Sequence, residues 1–298
     1  MRSKQNGKRN YMWCAENWKD YELLDTNDGE RLERWGDLIL IRPDPQIIWK
    51  NTASHAAWKK ADGIYRRSST GGGAWVKNKL PAQWNIHYGD LGFVLRPMGF
   101  KHTGLFPEQA ANWDWFGDLI RKANRPIKVL NLFAYTGGAT MAAANAGASV
   151  VHVDAAKGIV AQAKENAVLS GLEKAPIRYI VDDCKKFVER EIRRGNHYDG
   201  IIMDPPSYGR GPGGEVWKIE DCVDELITLA SQLLSDDPLF FLINSYTTGL
   251  SPLAMQYILQ HRVQARYGGI LESGELALPV TASKGFLPCG ASARWYRQ

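Results

Sequence analysis

The sequence predicts an α/β protein: a mostly parallel sheet with helices on both faces, preceded by a small N-terminal antiparallel β domain. Three observations carry that expectation. Beyond residue 126, apolar runs of strand length alternate with segments of helix length, the pattern of crossover-connected parallel strands. The first of those runs, Val129-Leu130-Asn131-Leu132, leads into Tyr135-Thr136-Gly137-Gly138, and a small-residue helical stretch follows from 139 to 148. A strand, a glycine turn and a helix present bare backbone at the carboxyl edge of such a sheet. Between 36 and 102, by contrast, short β-type runs are separated by turns rich in Pro, Gly and Asp.

Taken in order, 1–35 reads as a polar arm with scattered aromatics (Tyr11, Trp13, Trp18, Tyr21, Trp35) packing against the body. Met1 to Asn10 is basic and lacks the apolar core of a signal peptide. In the β domain, 36–102, strands are expected at 38–41, 47–49, 63–67, 74–76, 84–88 and 91–95, with Gly71-Gly72-Gly73 as one of the turns. A linking segment, 103–125, has Pro107 and Glu108 where a helix would open, then Gln109, Trp113, Phe116 and Leu119 at helical spacing. The remainder, 126–298, holds strands at 127–133, 149–153, 177–181, 200–203 and 239–244. Helices alternate with them at 138–146, 156–170, 185–194, 218–234 and 252–261, and two closing strands lie near 267–272 and 291–296.

Composition narrows the class. With 44% hydrophobic and 23% charged residues the chain is globular. A net charge of +5 permits a polyanionic partner without requiring one. Arg66, Arg67, Lys77, Lys79, Lys101 and His102 gather in or near the loops of the β domain, with Trp75 and Trp84 among them. Basic residues interleaved with aromatics either hold single-stranded nucleic acid or form a solvated face with the tryptophans turned inward. Four cysteines, Cys14, Cys184, Cys222 and Cys289, show no zinc spacing, so a reduced cytoplasmic protein without a metal is expected. No apolar run approaches the roughly 20 residues that span a bilayer.

The chemistry sits at the strand ends. The turn Phe133-Ala134-Tyr135-Thr136-Gly137-Gly138 lacks both the G-x-G-x-x-G spacing and the lysine of a phosphate loop, which favours a nucleoside without phosphates over NAD. Asp154, about 20 residues on, suits the two hydroxyls of a ribose; surface capping is the alternative. Of Asp182 and Asp183, one suits an adenine amine, Asp183 being preferred, while a helix N-cap competes for either. Asp204-Pro205-Pro206-Ser207-Tyr208 follows an apolar strand. Its two prolines remove two backbone donors and leave a rigid edge of acceptors beside a carboxylate, suited to an amine or an extruded base on which Tyr208 would stack.

As a set, these strand ends resemble those of class I S-adenosylmethionine-dependent methyltransferases with their Rossmann-like sheet. More narrowly they resemble the bacterial large-subunit (23S) ribosomal RNA methyltransferases acting on cytosine C5 or guanine N7. Gly104-Leu105-Phe106-Pro107-Glu108-Gln109 and the Phe-Ala-Tyr-Thr-Gly-Gly turn are similar to that family's signatures, and the likeness covers about 85–250. It implies that S-adenosylmethionine, leaving as S-adenosylhomocysteine, contacts Phe106, Pro107 and Gln109; Phe133, Ala134, Tyr135, Thr136 and Gly137; Asp154 and Ala155; Asp182, Asp183 and Cys184; and Asp204. It implies that Asp204, Pro205, Pro206 and Tyr208 face the acceptor, and that ribosomal RNA is the partner; the basic and aromatic loops of the β domain, outside most of that likeness, are where the residues themselves would hold it. The chain departs from the cytosine-C5 type after its fifth strand. There a thiolate would add to C6, and here the chain reads Asn244-Ser245-Tyr246-Thr247. Transfer to a nitrogen needs no such nucleophile. A methyltransferase of small molecules or proteins is the alternative, and a nicotinamide-dependent dehydrogenase is a further one.

Overall fold

The structure, a computed structural model, describes residues 12–68, 72–99, 101–210, 216–247 and 249–297. Met1 to Tyr11 and Gly71 lie outside them.

The chain opens with β1 (Met12–Cys14), then runs through β2 (Tyr21–Asn27), β3 (Glu30–Trp35), β4 (Leu38–Pro43), β5 (Gly63–Arg67) and β6 (Gly73–Asn78). Strands β2 to β6 form one five-stranded sheet in chain order, antiparallel except where β4 meets β5. Residues 21–35 are therefore two strands of the small sheet and not part of an arm. Their charges (Glu22, Asp25, Glu30, Arg31, Glu33, Arg34) hid the alternation, because several of these charges are buried. Glu33, fully buried, accepts from Arg42 Nε at 2.6 Å and Nη2 at 2.8 Å and from the Tyr21 hydroxyl at 2.9 Å. Residues 47–49 form no strand; Pro43 and Pro45 break the run, and Ile48 is 84% exposed beside a buried Ile47.

A hairpin of β7 (Trp84–Tyr88) and β8 (Leu91–Leu95) pairs only with itself. It packs on the next domain through Phe93, whose ring lies 5.4 Å from Trp113. Pro107–Gln109 forms one tight turn that leads into α1 (Ala110–Lys122), as the spacing predicts. Trp113 and Phe116 face inward, and Phe116 stacks on Phe240 at 5.8 Å.

The main domain then alternates: β9 (Lys128–Leu132), α2 (Gly138–Asn145), β10 (Ser149–Asp154), α3 (Lys157–Leu169), β11 (Ile177–Val181), α4 (Cys184–Arg194), β12 (Gly200–Met203). Two short strands, β13 (Tyr208–Arg210) and β14 (Val216–Lys218), form a flap that precedes α5 (Ile219–Ser231), β15 (Phe240–Ser245) and α6 (Pro252–Leu259). The long pair β16 (Ile270–Pro279) and β17 (Phe286–Tyr296) closes the sheet. Its order is β1-β16-β17-β15-β12-β9-β10-β11; β9, β10, β11, β12 and β15 pair in parallel and β17 runs antiparallel to both its neighbours. Both faces are apolar, as a sheet covered on two sides requires. Val129, Ile202, Phe240 and Leu242 pack with α1 and α2, while Leu130, Ile201, Met203, Phe241 and Ile243 pack with α4, α5 and α6. Strand order reverses between β9 and β12, and a crevice opens beyond their carboxyl ends. Among the described residues no helix is long and apolar enough to cross a membrane.

Candidate active site

The turn after β9 is wound tightly. Phe133, Tyr135 and Gly137 all have positive φ, at 56°, 50° and 85°. Two non-glycine residues in the left-handed region need support from their surroundings, and each turn residue has it. Phe133 N–H donates to Cys184 Sγ at 3.2 Å, Ala134 N–H to the Val153 carbonyl at 3.0 Å, and Tyr135 N–H to Asp154 Oδ2 at 2.9 Å. Thr136 donates its hydroxyl to the Gly104 carbonyl at 2.6 Å and takes Asn166 Nδ2 on its own carbonyl at 2.8 Å. At Gly137 a side chain would have to adopt the strained φ and sit 3.1 Å from the Ala163 methyl.

The acidic strand ends differ in what they still offer. Asp154 is clamped by two backbone donors, Tyr135 N–H and Ala156 N–H, both at 2.9 Å. A carboxylate holding two such bonds keeps lone pairs for a ligand and cannot swing away. Ala155 beside it is exposed. Asp182 is engaged, by an ion pair with Arg190 and by the Asp183 N–H at 2.9 Å. Asp183 caps α4, accepting Lys186 N–H at 2.9 Å, and is exposed to solvent. Cys184 is buried, and burial raises its thiol far above the ordinary range, so it serves as a neutral hydrogen-bond acceptor.

Asp204 follows β12. Burial pushes its carboxyl up to about 7, and no hydrogen-bond partner for it exists among the described residues. Pro205 is buried, Pro206 exposed, and Tyr208 51% exposed on the flap. The lip is pinned from three directions. Trp217 donates its indole N–H to the Pro206 carbonyl at 2.6 Å, Ile219 N–H meets the Ser207 carbonyl at 3.1 Å, and the Thr247 hydroxyl donates to that of Ser207 at 2.7 Å. Trp217 also lays its ring 5.6 Å from Phe133, so the lip and the glycine turn share one support.

From the opposite side, the segment before α1 forms a roof. The Phe106 ring lies 5.4 Å from Tyr135 and 5.2 Å from His102. Pro107 is buried, and its carbonyl accepts the Trp18 indole N–H at 2.8 Å. Gln109 Oε1 takes two amides, from Asn112 at 2.9 Å and Asn244 at 3.1 Å, while its Nε2 is buried without a partner among the described residues. Arg294 holds Asn112 in place at 2.6 Å. An unpartnered buried donor costs about 1–3 kcal/mol, and this one stands in the wall of a cleft that encloses about 480 Å³ of space when its open, solvent-filled part is included.

That cavity gathers Phe106, Gln109, Phe133, Ala134, Tyr135, Thr136 and Asp204. Asp154 is one hydrogen bond away through Tyr135, Gly137 and Pro107 back the wall, and Pro205, Pro206 and Tyr208 continue the lip. Asp182, Asp183, Ala155 and Cys184 are outside its lining. Sequence reasoning missed Asn112, Asn131 and Asn244, which line the cavity, Asn166 and Gln162, which hold the turn and β8, and Trp217. The one available signal was polar: Gln162 and Asn166 stand four apart on the apolar face of α3.

A parallel sheet, a left-handed glycine turn at its switch point and an acid clamped at the next strand end are the features of an α/β fold that binds a nucleoside cofactor. The family model for S-adenosylmethionine-dependent methyltransferases matches residues 48–251, and the chain belongs to that family. A solved S-adenosylmethionine-dependent methyltransferase from Agrobacterium tumefaciens is 37% identical, with 96% of this chain and 93% of that one covered and a TM-score of 0.89. The structure of SMU.776 complexed with SAH, at 20% identity and a TM-score of 0.68, covers 94% of this chain and 76% of its own and shares the fold. Among curated relatives, a ribosomal RNA large subunit methyltransferase K/L of Shewanella frigidimarina is 34% identical over 145 residues. That match takes in 48% of this chain and spans a fifth of the relative's length.

Proposed function

We propose that this protein transfers the methyl group of S-adenosylmethionine to a nitrogen of a ribosomal RNA base in the cytoplasm. The family supplies the cofactor, and the K/L relatives supply the substrate class. The observation that carries the choice of a nitrogen is the place of the cysteines. Cys14 is in β1, Cys184 behind the glycine turn, Cys222 on α5 and Cys289 in the core beside the small sheet, and none lines the cavity. Attack by cytosine C5 needs a thiolate at C6, whereas a base nitrogen already carries the electron pair.

The residues fit the cofactor. The orphaned Gln109 donor and the backbone of 133–137 suit its methionine end, the clamped Asp154 its ribose, and Asp183 its adenine, because Asp182 is spent on Arg190. Phe106 and Pro107 close over it. When bound it supplies an electrophilic methyl on a sulfonium. The protein's part is placement: Asp204 and the Pro205 carbonyl accept the N–H groups of the incoming base, since Trp217 already occupies the Pro206 carbonyl. Fixing the nucleophile in line accounts for much of the acceleration, and Asp204 is poised to take the proton that nitrogen sheds. Tyr208 borders the entrance.

RNA is held by cations of the small sheet and its turns, the exposed Arg67 and Lys79 with the half-buried Lys77. Trp75 and Trp84 contribute no stacking face: Trp75 packs on Tyr65 at 5.6 Å and donates to the Met98 carbonyl at 3.0 Å, and Trp84 packs on the main core. The test is incubation with tritiated cofactor and unmodified 23S rRNA, then mass spectrometry of the nucleosides. Label on a base nitrogen is expected. Label at cytosine C5, or on a metabolite or protein in place of RNA, refutes the reading.

A further inference from the structure

We infer that Tyr246, in the stretch just after the fifth parallel strand, is a stacking platform for the planar base that the enzyme methylates, beside the lip. The inference rests on the nucleobase reading above.

Tyr246 immediately follows β15, whose end lines the cavity through Asn244. Its ring is supported from within the protein. Phe106, a cavity residue, lies 5.8 Å from it at 46°, and Phe106 in turn meets Tyr135. Gly290, at φ +107°, lies against the same segment: a Cβ there would clash with the Ser245 carbonyl at 2.8 Å and would just touch the Tyr246 ring at 3.5 Å, so β17 backs the start of this loop closely. The ring is nevertheless 37% exposed, and its hydroxyl has no partner among the described residues. A tyrosine supported in this way, about a third exposed and in contact with a residue of the cavity wall, offers a flat, pre-ordered face at little entropic cost.

The neighbouring contacts place that face beside the reacting edge. Thr247 hydrogen-bonds Ser207, two residues beyond Pro205, so the loop carrying Tyr246 is tied to the loop carrying Asp204. A base that presents its N–H edge to Asp204 and Pro205 needs something to hold its ring flat, because two hydrogen bonds in one plane leave it free to tilt. An aromatic face one residue from the tie does this. Base–aromatic stacking accepts any base, so Tyr246 would supply hold, and Asp204 with Pro205 would supply the choice of atom.

The experiment separates binding from transfer. Anisotropy of a labelled single-stranded RNA octamer is measured with wild type, Tyr246→Leu and Tyr246→Phe, with S-adenosylhomocysteine present, alongside calorimetric S-adenosylhomocysteine affinity and methyl transfer to 23S rRNA. We expect Tyr246→Leu to weaken RNA binding about tenfold, with cofactor affinity within about twofold, and Tyr246→Phe to restore most of the binding because it keeps the ring. Thermal melting checks that both variants fold; if Tyr246→Leu does not, Tyr246→His, which keeps a smaller flat ring, should bind between wild type and a variant lacking Lys77 and Lys79. Unchanged RNA binding by Tyr246→Leu, equal losses with Leu and Phe, or no RNA binding by wild type overturns the inference. RNA binding that depends on Tyr246 with no methyl transfer to rRNA leaves the platform standing and refutes the proposed substrate.

Discussion

Replacing Glu108 by glutamine should make the protein more stable at pH 8 and leave it little changed at pH 5. Glu108 lies between Pro107 and Gln109 in the roof, is fully buried, and neither carboxylate oxygen has a hydrogen-bond partner among the described residues. Burial raises its carboxyl from 4.5 to about 7, and the guanidinium of Arg31, with a smaller pull from Arg42, reverses this only in part. The folded protein therefore holds the proton to higher pH than the unfolded chain does. Stability from this group is complete below about 4.5, falls as pH rises from there, and is gone once pH passes about 7. A gap of about two and a half pH units, at roughly 1.4 kcal/mol each, makes the full loss about 3 to 4 kcal/mol. Glu108→Gln keeps the shape and removes the titration, so its stability should stay flat where that of wild type declines. Urea unfolding at half-unit steps from pH 5 to 8, with midpoints and slopes fitted separately, measures the difference. Every other titrating group is common to the two proteins and cancels. Parallel curves for wild type and variant across that range would refute the argument.

Three further outcomes follow from the site and its supports. Methyl transfer by wild type should rise as pH passes about 7, where Asp204 ionises; Asp204→Asn should flatten that profile and lower kcat about a hundredfold, and an unaltered profile would remove Asp204 from proton transfer. Trp217→Phe keeps the packing on Phe133 and loses the hydrogen bond to Pro206, so kcat should fall up to about tenfold while KM for the cofactor holds; a change confined to cofactor KM would contradict its place at the lip. Glu33→Ala strands the buried guanidinium of Arg42 and should cost about 3–5 kcal/mol in denaturant unfolding, far more than loss of the exposed Lys50–Asp28 pair, whose removal should be close to neutral.

Most of the main domain was legible because its strands are buried on both faces and so read as uninterrupted apolar runs. The limits of 177–181 and 200–203 agree to the residue, and the helices after β9, β10 and β11 begin within a residue of where the sequence puts them. The strand ends carry acids and glycines, and both stand out against such runs. The small sheet was legible only where its residues are neutral. In 21–35 the fold buries Asp25, Arg31 and Glu33 against one another's neighbours in the small sheet and its loops, Glu33 on Arg31 and Arg42 and Asp25 on Trp58, so the charges that mark a surface elsewhere mark an interior here. The flap of β13 and β14 was missed because strands of three residues leave no period to read. Of the site, the acids and the turn were readable from their place at strand ends. The supports, Trp217, Asn112, Asn166 and Arg294, act across separations of 11 to 182 residues and carry no local signature.

The pairing of β1 with β16 fixes how the two halves of the molecule relate. Met12–Cys14 lies parallel to Glu275–Ala277 at one margin of the main sheet, and the chain only then departs to build the small sheet. Leu23 and Leu24 return to grip Thr281 and Ala282 through their carbonyls. The small sheet is thus sewn in at both ends, through residues that precede it and residues near the opposite end of the sequence. Cutting the chain at 103 would not free a self-sufficient catalytic half; it would strip a margin strand and bare the hydrogen-bonding edge of β16 to other molecules. The same stitching limits how far the small sheet can swing from the methyl-transfer pocket, so any large acceptor that touches both meets a bend that is built in before it arrives.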